Sequence, residues 1–175
     1  MFNTINNIDA LIAKDAASAS AYLNKLSDIM RFMLYETKTE QIPLTKELTY
    51  IEEFIALQKI RTTNQHYINY TVQGDAANVI IPPMLFIPFI ENAFKHAENK
   101  KAENAINIHI DIEKTKITFR CENRFNPSAQ RQQDGNGLGM ELIKKRLSLM
   151  YPGKHNLSIN NHMGIYKVEL TLLLA

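Results

Sequence analysis

Residues 2 to 36 contain neither glycine nor proline, and this uninterrupted stretch commits the start of the chain to helix. Ile5, Ile8, Leu11 and Ile12 recur at helical spacing. After a polar break at Lys14-Asp15, Leu23, Leu26, Ile29, Met30, Met33 and Leu34 do so again. The pattern predicts a helical hairpin with two apolar stripes and no further core of its own. Such a hairpin seeks a partner, and self-association into a bundle is the simplest way to cover both stripes.

Beyond residue 40 the period changes repeatedly. Pro43 restarts the chain, and Thr45 followed by Leu48 through Ile60 reads as a capped amphipathic helix. His66 to Val72 alternates and ends at Gly74, a strand signal. Pro82-Pro83 is expected to open a third helix running to about Ala97, with a bend at Pro88. Two strands follow, Ile106–Ile112 and Lys116–Glu122, then a polar, Gly-containing loop over 124 to 137. A helix over Leu138 to Met150 and a hairpin of Asn156–Ile159 with Ile165–Leu173, turning at Met163-Gly164, complete the chain. Helices are not expected to alternate regularly with parallel strands. The order therefore predicts an α+β fold, a two-layer sandwich with helices on one face of a mixed sheet.

With 175 residues there is room for one ordinary domain and a small appendage, and 45% apolar with 22% charged residues describes a globular protein. A net charge of +2 is too small to argue for nucleic acid or a lipid surface. The most apolar segment, Val79 to Ile90, is short and broken by Pro82, Pro83 and Pro88, so it cannot span a bilayer. The chain as written reads as soluble. The single cysteine, Cys121, excludes an internal disulfide framework and reads as a small buried strand residue. His66 and His109 are expected in strands, His155 and His162 at turns, without metal-ligand spacing.

Two elements could carry chemistry. On a helix, Asn92, Lys95 and His96 fall at i, i+3 and i+4 and share one face, while Phe89, Ile90, Ala93 and Phe94 can face a core. An amide oxygen for Mg²⁺ beside two donors for phosphate oxygens makes a sensible ATP site. The same spacing also describes an ordinary amphipathic helix with a polar outer face. The second element is Gly135-Asn-Gly-Leu-Gly139 before a helix: three glycines let the backbone approach a phosphate, and the helix start supplies free N–H groups. A flexible loop ending in a helix would look alike. Glu91, next to Asn92, could orient water or an acceptor imidazole, or be an exposed helical glutamate.

Together these elements resemble the nucleotide boxes of the GHKL ATPase superfamily. The opening Phe2-Asn3-Thr-Ile-Asn-Asn-Ile resembles the tail of the His-Phe-Leu-Phe-Asn motif of LytS/YehU-like bacterial sensor histidine kinases. Leu26-Ser-Asp-Ile-Met-Arg-Phe32, Ile42-Pro-Leu44 with Glu47-Leu48, Gln58-Lys-Ile-Arg61, Ile81-Pro-Pro83, Glu91 to His96, Gly137-Leu-Gly139, Lys145-Arg-Leu147 and Tyr151 are similar to that family's spaced signposts, in order over essentially the whole chain. The resemblance implies a Bergerat-type ATP-binding fold at 41–175 behind a partial dimerisation hairpin at 1–40. It implies ATP and Mg²⁺ as cofactors, with Asn92 as metal ligand and Lys95 and His96 on the phosphates. Asn123 would meet the adenine, and Gly135, Gly137, Leu138 and Gly139 would line the phosphate side. Implied partners are a second copy through the hairpin and a response regulator of LytTR type, with no direct nucleic acid. The parent would be an inner-membrane protein held there by segments outside this chain, which is its cytoplasmic portion.

Two departures from the family pattern stand out. Asn123 replaces the usual aspartate, and Arg124-Phe125 replace the usual glycines. A neutral amide makes a weaker bond to the adenine amino group than a carboxylate does, and the larger side chains narrow the room for the base. A degenerate, weakly nucleotide-binding dimeric scaffold is therefore the alternative to a kinase. Met1 stands where the family motif has its leucine, placing the phospho-accepting histidine two residues upstream. None of the five histidines present occupies that place, so autophosphorylation of this chain is not expected. Residues 124 to 137 are expected to act as a mobile lid over the nucleotide.

Overall fold

A computed structural model of the chain describes residues 2–60, 62, 64, 66–97, 102–125 and 137–174. The chain divides into two compact units, Met1–Gln65 with Ala76–Leu85, and His66–Asp75 with Phe86–Ala175.

The first unit is helical. α1 (Phe2–Ile12) and α2 (Ala16–Tyr35) form the expected hairpin, broken at Lys14-Asp15. Asp15 caps α2: its carboxylate accepts from the Ser18 amide at 3.0 Å and from the Ser18 hydroxyl at 2.6 Å. An amide at the helix start that lacks a helical partner is thereby satisfied. The same bonds hold the Asp15 carboxyl below its ordinary value. Ile8, Ala19, Leu26, Ile29 and Phe32 are buried, and Phe32 packs on Tyr50 with ring centroids 4.5 Å apart.

Tyr50 belongs to α3 (Leu44–Lys59). Thr45 does not cap this helix as expected. Pro43 occupies the cap position without a side-chain bond, and Thr45 lies in the first turn. Tertiary pairing overrides the local signal. Ile42-Pro43 form a short strand β1, antiparallel to β3 (Ile80–Ile81), and the Leu44 amide donates to the Val79 carbonyl at 2.8 Å. The first helical amide is thus satisfied by the backbone just before β3, so no side-chain cap is needed.

The second unit is a five-stranded sheet in the order β2-β4-β5-β7-β6. Its strands are β2 (Ile68–Gly74), β4 (Ile106–Ile112), β5 (Lys116–Arg124), β6 (His155–His162) and β7 (Ile165–Leu173), with helices α4 (Ile87–His96) and α5 (Gly137–Met150). β2 and β4 run parallel and the other pairs antiparallel. α4 lies in the connection between the parallel pair, so one helical crossover is present where the sequence pattern predicted no regular alternation. At the end of β2, Gly74 has φ +93°, and a Cβ there would lie 2.0 Å from the Ile112 carbonyl oxygen. Met163 and Gly164, both with positive φ (50° and 75°), make the expected tight turn between β6 and β7. His66 precedes β2 instead of lying in it, and His155 and His162 are the terminal residues of β6 rather than turn residues.

One face of the sheet is apolar: Ile108, Ile110, Ile117, Phe119, Cys121, Val168, Leu170 and Leu172 are buried there, with α4 packed on β4 and β5 and α5 on β6. The opposite face is polar. His109 Nδ1 lies 2.7 Å from the Thr71 hydroxyl, and Arg120–Glu169 and Lys167–Glu122 pair at 3.4 and 3.0 Å. A sheet that buries one face and hydrates the other is the α+β two-layer sandwich the sequence predicted. Among the described residues no helix is long and apolar enough to cross a membrane.

α4 starts later than expected. Pro82-Pro83 do not open it. Met84 takes a left-handed conformation (φ 57°), which no right-handed helix can include, and the helix begins at Ile87. Pro88 therefore falls in the first turn, where its missing amide hydrogen breaks no helical bond, and the bend inferred for it has no cause.

Candidate functional site

The packing of α4 on β5 positions the site. The Phe86 ring stacks on Phe119 at 4.9 Å, and Phe89 approaches Phe119 at 5.8 Å. The Cys121 thiol points at the Phe89 carbonyl oxygen, 3.9 Å away. Helix and strand thus advance together. A helical turn rises about 5.4 Å, and two strand residues rise about 6.7 Å. One step further along, α4 carries Asn92 and Ala93, and the next inward residue of β5 is Asn123.

On α4, Ile87, Phe89, Ile90 and Ala93 are buried, Asn92 and His96 are half-buried, and Lys95 is exposed. The apolar face anchors the helix, so the polar face expected from the spacing points away from the core. Lys95 and His96 also lie in the last turn, where positive charge complements the helix dipole whatever else it does. Glu91 reaches solvent, yet desolvation by its surroundings raises its carboxyl above the ordinary value.

Asn123 is one of three buried polar or charged residues among those described, 2% exposed. It lies between Ile106 and Tyr166 on the neighbouring strands. Its Nδ2 donates to the Arg124 carbonyl at 3.4 Å, a long bond that satisfies the amide poorly. Tyr166 shares its row, half-buried, and burial raises its phenol above the ordinary value. The sequence pattern did not single out Tyr166, because only strand register places it beside Asn123. The following residues are tied down: Arg124 N–H donates to Ala105 at 3.0 Å and Phe125 N–H to Gly164 at 2.9 Å.

Gly137 and Leu138 begin α5, and Gly139, in its first turn, is exposed. A Cβ added at Gly139 would meet nothing within 4 Å among the described residues, so packing does not demand glycine there. Gly135 and nearly all of the segment expected to form a lid lie outside the described residues. Cys121 is buried, which pushes its thiol up to about 12 and leaves it a protonated core residue, as expected.

Glu47 is the residue whose role the sequence concealed. It was part of a family signpost, with no chemistry attached. The structure buries it completely, with its two carboxylate oxygens accepting from the Met84 and Leu85 amides at 2.7 Å each.

A family model described as histidine kinase matches residues 1–66. The sensor protein LytS of Staphylococcus haemolyticus is 31% identical over 165 residues, covering 87% of this chain and 28% of that protein. The sensor histidine kinase/phosphatase LytS of Staphylococcus aureus is 36% identical over 110 residues, covering 62% of this chain and 19% of that protein. The chain thus spans under a third of the length of these relatives. The catalytic domain of histidine kinase ThkA, in a nucleotide-free form, superposes with a TM-score of 0.52 at 15% identity, covering 76% of this chain and 95% of that one. That likeness concerns the fold.

Proposed function

Since this chain belongs to the LytS-like family of sensor histidine kinases, we propose that it is the ATP-binding catalytic part of such a kinase, in which the γ-phosphoryl group of ATP passes to a histidine for relay to a response regulator. The observation that supports this reading is the polar face of α4: Asn92, Lys95 and His96 stand on the side away from the buried Ile87, Phe89, Ile90 and Ala93.

The donor set fits the substrate and its metal. The Asn92 amide oxygen is a hard ligand suited to Mg²⁺, which would neutralise charge on the phosphates. Lys95 and His96 offer donors to phosphate oxygens. The Asn123 side-chain oxygen can accept from an adenine amino group, with Tyr166 beside it. Gly137, Leu138 and Gly139 would present backbone amides at the start of α5, where a helix N-terminus favours an anion, and the family resemblance adds Gly135 to the phosphate side. Glu91, its carboxyl raised by desolvation, could orient the acceptor imidazole. Catalysis of this kind consists mainly of positioning and charge stabilisation. The functional division would fall near residue 40, with 1–40 as dimerisation hairpin and 41–175 as ATP-binding domain. The partners would be a second copy and a response regulator, which the family resemblance puts in the LytTR class. The parent would be a membrane sensor with this part on the cytoplasmic side.

A second reading is favoured by one observation. Arg124 and Phe125, which stand where glycines would allow room for the base, are held by backbone bonds to Ala105 and Gly164. A weakly nucleotide-binding dimeric scaffold would look the same. Phosphoryl transfer separates the two. A longer protein carrying the His-Phe-Leu-Phe-Asn motif should take an acid-labile label from γ-labelled ATP, and Asn92→Ala should abolish it. No transfer despite correct folding favours the scaffold. Labelling of one of the five histidines of this chain would contradict the assignment of the acceptor.

A further inference from the structure

We propose that Asn123 gives the site a relaxed base selectivity: it takes a guanine nucleotide as well as an adenine nucleotide, because the amide presents either an acceptor or a donor to the base. This deepens the ATP-binding reading above and rests on it, in particular on Asn123 meeting the base.

Every observation behind it lies in the sheet unit. Asn123 is 2% exposed, between Ile106, 0% exposed, on β4 and the half-buried Tyr166 on β7. An amide with so little access to water takes its hydrogen-bond partners from protein or ligand. Among the described residues its side chain has one such bond, from Nδ2 to the Arg124 carbonyl at 3.4 Å. That is longer than the roughly 3.2 Å within which such bonds usually fall. The backbone that follows is held much more firmly. Arg124 N–H donates to Ala105 at 3.0 Å, Phe125 N–H donates to Gly164 at 2.9 Å, and Arg124 pairs with Ile165 of β7. Adjustment to a ligand therefore falls to the side chain, whose terminal torsion has two roughly equivalent settings half a turn apart.

The two purines differ where such a group would meet them. Adenine offers an amino donor beside a ring-nitrogen acceptor, and guanine offers a carbonyl acceptor beside a ring N–H donor. A carboxamide carries an acceptor oxygen and a donor NH₂, so one setting complements adenine and the other complements guanine. A carboxylate has acceptors only and would set one against the guanine carbonyl. The present setting engages Nδ2 with Arg124 and leaves the oxygen to accept, which suits adenine. Turning the amide for guanine gives up that long, neutral bond, a loss of roughly tenfold in affinity at most.

Calorimetric titration of the unaltered chain with Mg·ATP and with Mg·GTP tests this. Both should bind, with Mg·ATP preferred by no more than about tenfold. A wider preference would overturn the proposal. In Asn123→Asp the preference for Mg·ATP should widen by at least about a further tenfold, since a site left with an unpaired polar group rejects the wrong base. A folded Asn123→Asp with the parent's preference would also overturn it. If that variant does not fold, the comparison of the two nucleotides on the unaltered chain decides alone. Binding of neither nucleotide would remove the nucleotide reading itself, and this proposal with it. That result is distinct from Mg·ATP binding that excludes Mg·GTP, which sinks the selectivity claim alone.

Discussion

The helical hairpin and the sheet unit treat apolar surface in opposite ways. In the sheet unit, Phe86, Phe89, Phe119, Ile106 and Ile108 are all at most 1% exposed, and Phe86 and Phe89 of the α4 region pack on Phe119 of β5. On α2, by contrast, Leu23, Met30, Leu34 and Tyr35 remain 47%, 44%, 56% and 65% exposed. Isolated exposed apolar residues are ordinary, but here Leu23, Met30, Leu34 and Tyr35 line one face with Leu26 and Ser27. The difference teaches that the sheet strands and α4 bury their apolar faces on each other, whereas α2 leaves apolar side chains exposed, as the proposed dimer requires.

The comparison can be broken most forcefully in the sheet. Phe119→Ala removes a ring that contacts both Phe86 and Phe89 and should cost about 3–5 kcal/mol in denaturant unfolding. A loss below about 1 kcal/mol would mean that this core is not the stabilising centre. On the hairpin, the double substitution Met30→Asp with Leu34→Asp should barely change the unfolding of a monomer. It should raise the dimer dissociation constant by at least about tenfold in sedimentation. An unaltered association equilibrium would show that this face is not the interface.

At the site the expected changes are smaller. Asn123→Asp replaces a neutral acceptor by a charged one at a position 2% exposed. Burial of the new charge should lower the melting temperature of the free chain. Mg·ATP affinity should rise by about threefold, since a carboxylate makes the stronger hydrogen bond. Weaker binding in a folded variant would remove Asn123 from the adenine role.

The smallest effect concerns Asp15. Its folded carboxyl is held below the ordinary value of 3.8 by bonds from Ser18. The cap's contribution is therefore fully present above that ordinary value and is lost as the pH falls through the lower folded value. Asp15→Asn keeps an acceptor for the Ser18 amide and should remove this pH dependence from the helicity of α2. An identical acid titration of helicity in both proteins would contradict the assignment.

What could be read from the sequence follows the range of the interactions involved. The alternation of Ile106–Ile112 and the turn at Met163-Gly164 are local, and strand and turn appear where expected. The polar face of α4 is also local, set by residues three and four apart. The turn at Met84-Leu85, where the sequence predicted helix, is not: its amides bind Glu47, 37 and 38 residues earlier on α3. Thr45 failed as a cap for the same reason, since the pairing of β1 with β3 brings the Val79 carbonyl to Leu44. Asn123 was singled out through the family resemblance, but its burial and its neighbour Tyr166 come from sheet register, which no local spacing encodes.

The most direct test is calorimetry of the unaltered chain and of Asn92→Ala with Mg²⁺ and ATP. Asn92 is half-buried on the open face of α4, so its truncation should leave the fold intact. The account predicts saturable, Mg²⁺-dependent ATP binding by the unaltered chain. It also predicts affinity at least about tenfold weaker in the variant, for loss of a metal ligand and its hydrogen-bonding capacity. Equal affinity in the two proteins, or binding indifferent to Mg²⁺, would contradict it.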